Sequence, residues 1–235
     1  MINSESAPIQ VQVTDVETCF DKMWLQSCTN ALYDNGLRND LLSLMYLENR
    51  NIQFAAKVNN KLTRRTSAQD LEMQGSVWSS LKCTTMMDNL NKRVMADQHL
   101  QYYYKEDKSI PIGIRGMVDD TIGVSNCGNT SVQLNGVINS FIETQRLTLS
   151  KEKSAVFHVG SKLKCKTECP KLKVHQSEMS KSVAVKYLGN IVTSQGGVTA
   201  TIEDRRNKGW GKVATILGIQ QVVDMGRRRL VVRLY

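Results

Sequence analysis

Three aspartates are the residues in this sequence best placed to do chemistry. Asp15 ends the alternating segment Ile9-Gln-Val-Gln-Val-Thr14, and Asp119-Asp120 separates two short β-rich segments, Ile110 to Val118, interrupted by Gly113 and Gly116, and Thr121 to Ser125. Alternating apolar and polar residues rich in β-branched types predict a strand over 9–14 and a hairpin with the Asp pair at its tip. A sheet that lays the first strand beside that hairpin brings three carboxylates together. Such a cluster is a metal site by charge logic, since carboxylate oxygens are the donors that hard divalent cations prefer. Asp-Asp is also ordinary turn chemistry, so a plain hairpin tip is the competing reading.

The elements that must position these residues follow from the hydrophobic periodicity. Apolar residues from Phe20 through Leu32 form a helical stripe with a stop at Asn35-Gly36, and a second helix is predicted over Asn39 to Glu48. Residues 50–73 read as a hairpin carrying Arg64-Arg65. Gln74-Gly75-Ser76 opens the next helix, with Ser76 as N-cap and Leu81, Met86, Met87 and Leu90 on its apolar face. A helix is predicted over 130–147 and a strand over 154–159. After a lysine-rich loop, Leu172 to Val174 and Ala184 to Val192 should pair as a hairpin, followed by an amphipathic helix, Ile202 to Leu217. This order suits an α+β fold, a split βαβ sheet with helices packed on one face.

Charge divides the chain. Residues 151–235 hold 17 Lys+Arg against 6 Asp+Glu, and residues 1–150 hold 14 against 16, so the net +9 comes from the last third. That third is a candidate polyanion-binding surface, with a solvated face as the alternative. No apolar run approaches a membrane span, and the first ten residues lack a secretory pattern, so an intracellular protein, nuclear or cytoplasmic, is expected. The six cysteines then read as reduced thiols. His158, Cys165, Cys169 and His175 could form a zinc site, but no tight Cys-x2-Cys pair supports it.

Five short motifs in order resemble the reverse transcriptase domain of non-LTR (LINE-like) retrotransposons. Asp15 through Phe20-Asp21 resembles the first palm motif, and Gln74-Gly75-Ser76 with Trp78-Ser79-Ser80-Leu81 the second. Met117-Val118-Asp119-Asp120 is similar to the third. Leu147 through Lys153-Ser154 and Phe157 resembles the fourth, and Tyr187-Leu188-Gly189 the primer-grip hairpin. The sequence departs from the family in having Met73 where Arg is usual and Met-Val before the Asp pair.

The resemblance implies a polymerase palm, a ferredoxin-like sheet, over 1–192 and the start of a helical thumb over 193–235. The chain begins fourteen residues before Asp15, so the fingers are expected to be absent. It also implies RNA-directed DNA polymerisation with two Mg²⁺ ions, or Mn²⁺ in their place, on Asp15, Asp119 and Asp120. The Val16 carbonyl would be a further ligand. Phe20 would lie under the sugar of the deoxynucleoside triphosphate, with Gln74 and Gly75 along the nucleotide. Lys153, with Lys151 as competitor, would protonate the leaving pyrophosphate. Arg205, Arg206, Lys208 and Lys212 would contact the RNA template and DNA primer through phosphates, and Arg227-Arg228-Arg229 is either part of that surface or a nuclear-import patch. Two other readings remain open: an inactive palm remnant that binds nucleic acid, and a group II intron maturase-like protein.

Overall fold

In the computed structural model the described residues are 9–48, 52–68, 76–103, 111–126, 128–159 and 170–220. They fall in two compact units, Met1–Val183 and Ala184–Tyr235. No helix among the described residues is long and apolar enough to cross a membrane.

The first unit is built on one five-stranded sheet. Its strands are β1 (Ile9–Thr14), β2 (Ile114–Met117), β3 (Asp120–Asn126), β4 (Ala155–Val159) and β5 (Ser180–Lys181), in the spatial order β5-β4-β1-β3-β2. β1 is antiparallel to both β4 and β3, and β3 is antiparallel to β2. Strands β3 and β4 therefore run parallel on either side of β1, joined by helix α5 (Asn129–Thr144), and β1 and β2 run parallel on either side of β3. That is the split βαβ arrangement expected, made twice.

Helices α1 (Cys19–Lys22), α2 (Leu25–Asp34), α3 (Asn39–Leu47) and α4 (Ser79–Ala96) lie between β1 and β2. α4 packs on β2, α5 packs on β3, and the two helices touch, so both cover the same face of the sheet. Met86, Leu90 and Val94 of α4 meet Leu134, Ile138, Phe141 and Ile142 of α5 in the main core. The polar side of β1 faces this layer and is buried: Gln10, Gln12 and Thr14 are each 1% exposed. Asn135 of α5 donates to Gln12 Oε1 at 3.2 Å and accepts from the Lys173 amide at 3.0 Å, while Gln12 Nε2 and both side-chain amide atoms of Gln10 are buried without a hydrogen-bond partner.

Three expectations change. The helix predicted through 20–32 breaks after Lys22, where Met23 is extended and fully buried and Arg146 stacks over the Trp24 ring at 4.3 Å. Ser76 does not cap α4, which starts at Ser79; its hydroxyl donates to Glu48 Oε1 at 2.9 Å instead. The interruption expected at Gly113 is present, since Pro111–Ile112 pairs with Tyr102–Tyr103 and β2 starts after Gly113, whereas Gly116 lies inside β2. Finally, Lys173–Val174 pairs with Ser177–Glu178 across a tight turn in which His175 has φ 53°.

The second unit holds the hairpin β6 (Ala184–Tyr187) and β7 (Asn190–Thr193), and helix α6 (Thr199–Gln220). The hairpin is tied to the helix by the Thr201 hydroxyl, 2.8 Å from the Ile191 amide, and by Arg205, 3.0 Å from Asn190 Oδ1. The hairpin thus belongs to the second unit, Ala184–Tyr235.

Candidate active site

The register of the sheet sets the aspartates. Thr14 pairs with Thr121, so the next residue along β1, Asp15, lies opposite the preceding residue of β3, Asp120. Met117 pairs with Asp120, which leaves Val118-Asp119 as a two-residue hairpin loop at the end of β2 and β3. Val118 has φ 59°, a left-handed conformation that a β-branched side chain adopts only under strain, and its side chain packs on the core. This bend places Asp119 beside Asp15 and Asp120.

Asp15 is held from the other side by residues 148–154. Beyond β1 the chain makes one more bridge, Val16 to Leu149, in which the Glu17 amide donates to the Thr148 carbonyl and the Ser150 amide to the Asp15 carbonyl, both at 2.8 Å. These bonds bypass the Val16 carbonyl. The Asp15 amide donates to Ser154 Oγ at 3.4 Å, and Ser154 is fully buried. Sequence reasoning assigned no role to Ser150 or Ser154; the signal was there in the Lys-Ser pair entering a strand.

Crowding shows in the protonation equilibria. Burial, a hydrogen bond with Asp15 and the charges of Asp119 and Asp15 push Asp120 up to about 6. Asp119 is raised as well, by burial first and then by Asp15, against its own backbone hydrogen bond and the charge of Lys153. Lys153 Nζ lies 3.2 Å from Asp15 Oδ2. That oxygen is buried and carries no aligned hydrogen bond. The Lys153 ammonium is raised by Asp15. The lysine that reaches the carboxylates is thus Lys153 and not its competitor Lys151.

Among the described residues no three His, Cys, Asp or Glu side chains close into a ready coordination shell. The donor set still suits a hard divalent cation. It is all carboxylate, it is under mutual repulsion, and one buried Asp15 oxygen lacks an aligned hydrogen-bond partner. Phe20 lies on α1, partly buried against the core. Gln74 and Gly75 fall outside the described residues, as do Cys165, Cys169 and Arg227 to Arg229. His175 lends a zinc site no support, because its Nε2 accepts from the Leu149 amide at 3.1 Å.

In the second unit, Tyr187-Leu188-Gly189-Asn190 is a hairpin turn with φ 47° at Leu188 and 76° at Gly189, the two positive values of a type I′ turn. Arg205, Arg206, Lys208 and Lys212 are exposed along α6. Lys208 is paired with Asp204, whose hydrogen bond raises it, and Arg205 is engaged with Asn190.

No protein-family model and no curated protein matches the chain. Solved structures do. Apo telomerase from Candida tropicalis truncated of its C-terminal domain is similar at 11% identity and a TM-score of 0.53, over 82% of this chain and 35% of that one. Telomerase of the same organism in complex with a TWJ fragment of telomeric RNA gives 10% identity and 0.55, over 85% and 31%. The apo form gives 10% and 0.54, over 84% and 34%. The chain thus spans about a third of the length of these telomerases. At such identities the likeness shows the fold, which is a reverse-transcriptase-like polymerase fold with a palm-like sheet.

Proposed function

We propose that this chain is the palm and partial thumb of an RNA-directed DNA polymerase of the non-LTR retrotransposon type, acting in nucleotidyl transfer to a primer 3′-hydroxyl. The observation that carries the reading is the placement of Asp15 opposite Asp120, with Asp119 on a strained loop beside them, on a palm-like sheet. Asp15, Asp119 and Asp120, with the Val16 carbonyl nearby, would hold two Mg²⁺ or Mn²⁺ ions, which supply Lewis acidity at the hydroxyl and the triphosphate.

The chain's own groups take the remaining tasks. Lys153 carries a proton at Nζ for the departing pyrophosphate. Phe20 bounds the sugar of the incoming deoxynucleotide, and the resemblance assigns Gln74 and Gly75 to nucleotide binding. Tyr187, Leu188 and Gly189 steady the primer end. The exposed cations of α6 bind the phosphates of an RNA-DNA duplex without reading its sequence.

A second reading is a palm that binds nucleic acid without catalysis, through the exposed cations of α6. Primer extension on poly(rA)/oligo(dT) with Mg²⁺ separates the two. Extension that Asp119→Asn abolishes supports the polymerase. Salt-sensitive duplex binding with no extension supports the binding module.

A further inference from the structure

Lys153 has a second relationship to the aspartates that the proton-donor role leaves unexplained. Its turn is fixed at both ends to Asp15: the Ser150 amide donates to the Asp15 carbonyl at 2.8 Å, and the Asp15 amide donates to Ser154 Oγ at 3.4 Å. Within the turn the Lys153 amide meets Ser150 Oγ at 3.4 Å. The backbone therefore presets the reach of the lysine, while its side chain is 71% exposed and free to swing. The ammonium lies 3.2 Å from the Asp15 oxygen that is buried and lacks an aligned hydrogen bond. One positive charge on a tether partly neutralises three carboxylates that burial and proximity make costly to ionise together.

We propose that Lys153 is a tethered counter-cation which holds the aspartate site in its metal-free state and must leave Asp15 before a divalent cation can bind there. The inference rests on the palm reading above. Two cations cannot share one carboxylate oxygen at such distances without strong repulsion, so lysine and metal exclude each other at Asp15. Departure of the lysine is then tied to metal entry, and it frees the ammonium for the leaving group only when the site is loaded.

The test is Mn²⁺ titration by calorimetry on the full chain, in wild type and in Lys153→Ala, Lys153→Arg and Lys151→Ala. Removing an exposed ion pair should tighten Mn²⁺ binding to Lys153→Ala by about two- to fivefold. The rise in melting temperature on adding Mn²⁺ should be larger in Lys153→Ala by the same linkage. Lys153→Arg and Lys151→Ala should keep the wild-type affinity. Unchanged or weaker binding by Lys153→Ala overturns the tethered-cation inference alone, and so does an equal gain in Lys151→Ala, which would reflect only the general field. If wild type shows no saturable Mn²⁺ binding that Asp119→Asn/Asp120→Asn removes, the palm reading itself fails and this inference with it.

Discussion

Thr14 and Thr121 face each other across the β1–β3 ladder with their hydroxyls hydrogen-bonded, in a layer where they are 1% and 5% exposed. The pair stands one residue away from Asp15 and Asp120 on their respective strands, so it fixes the register that puts those carboxylates opposite each other. Replacing either threonine by valine keeps the shape and strands the other hydroxyl in a buried layer, at about 1–3 kcal/mol. The double variant Thr14→Val/Thr121→Val removes both polar groups and should be less destabilised than the two single changes combined. Urea unfolding of all four proteins measures the coupling; additive losses would mean the hydroxyls do not depend on each other.

The raised carboxyl of Asp120 gives the metal-free protein a pH dependence with a definite sign. The folded chain holds this proton up to about 6, whereas an ordinary aspartate releases it near pH 4, at about 3.9. Between those values the folded state binds more protons than the unfolded one, so this contribution to stability is full at acid pH and is lost as pH rises through about 6. Asp119 moves in the same direction. Asp120→Asn lacks the titration. Its urea midpoint should gain on wild type as the buffer goes from about pH 4.5 to about pH 7.5, and a constant difference between the two proteins would contradict the crowding described here.

The carboxylates were legible because their signals are local. Alternation over Ile9 to Thr14 and a hairpin around Asp119-Asp120 place them by chain order alone, and the split βαβ sheet follows from the order of elements. What stayed hidden depends on contacts distant in sequence. The break after Lys22 belongs to the Val16–Leu149 bridge and to Arg146 on Trp24, partners more than a hundred residues away. Alternation alone would send Gln10, Gln12 and Thr14 to solvent; instead Asn135 comes down on that face and keeps it dry. Ser76 has the right type for an N-cap, but Glu48 takes its hydroxyl. The His175 turn uses a left-handed histidine where the usual turn signal is Gly or Asn.

Glu48 also engages Lys82, one of the largest fully buried side chains of the chain at 1% exposed, with Nζ 3.7 Å from Oε2. The carboxylate is 31% exposed, so the two partners are not equally dependent on the pair. Glu48→Ala leaves an ammonium in the interior with its charge less compensated and should cost about 3 kcal/mol, the lower end for a broken buried pair. Lys82→Met fills the same space with an apolar chain and leaves a carboxylate that water can reach, so it should cost less. Denaturant unfolding ranks the two variants, and the reverse order would show that Glu48 is the buried member energetically.

Two glycines offer opposite tests of how tightly the sheet and α5 approach beneath the site. A Cβ on Gly123 of β3 would sit 2.9 Å from Gln12 Cγ and 3.2 Å from Leu134 Cδ2, contacts too short for the buried layer to accept without movement. Gly123→Ala should therefore destabilise by about 1–3 kcal/mol. Because Gln12 and Thr14 lie on the same face of β1, the displacement should reach Asp15 and weaken Mn²⁺ binding. Gly136, inside α5, has open space where a Cβ would stand, with nothing within 4 Å. There alanine restricts the unfolded chain and favours the helix, so Gly136→Ala should stabilise by about 0.5–1 kcal/mol and leave Mn²⁺ affinity as it was. Melting curves with and without Mn²⁺ read both effects together. A Gly123→Ala protein as stable as Gly136→Ala would mean that β1, β3 and α5 are not packed at the distances that set Asp15 against Asp120.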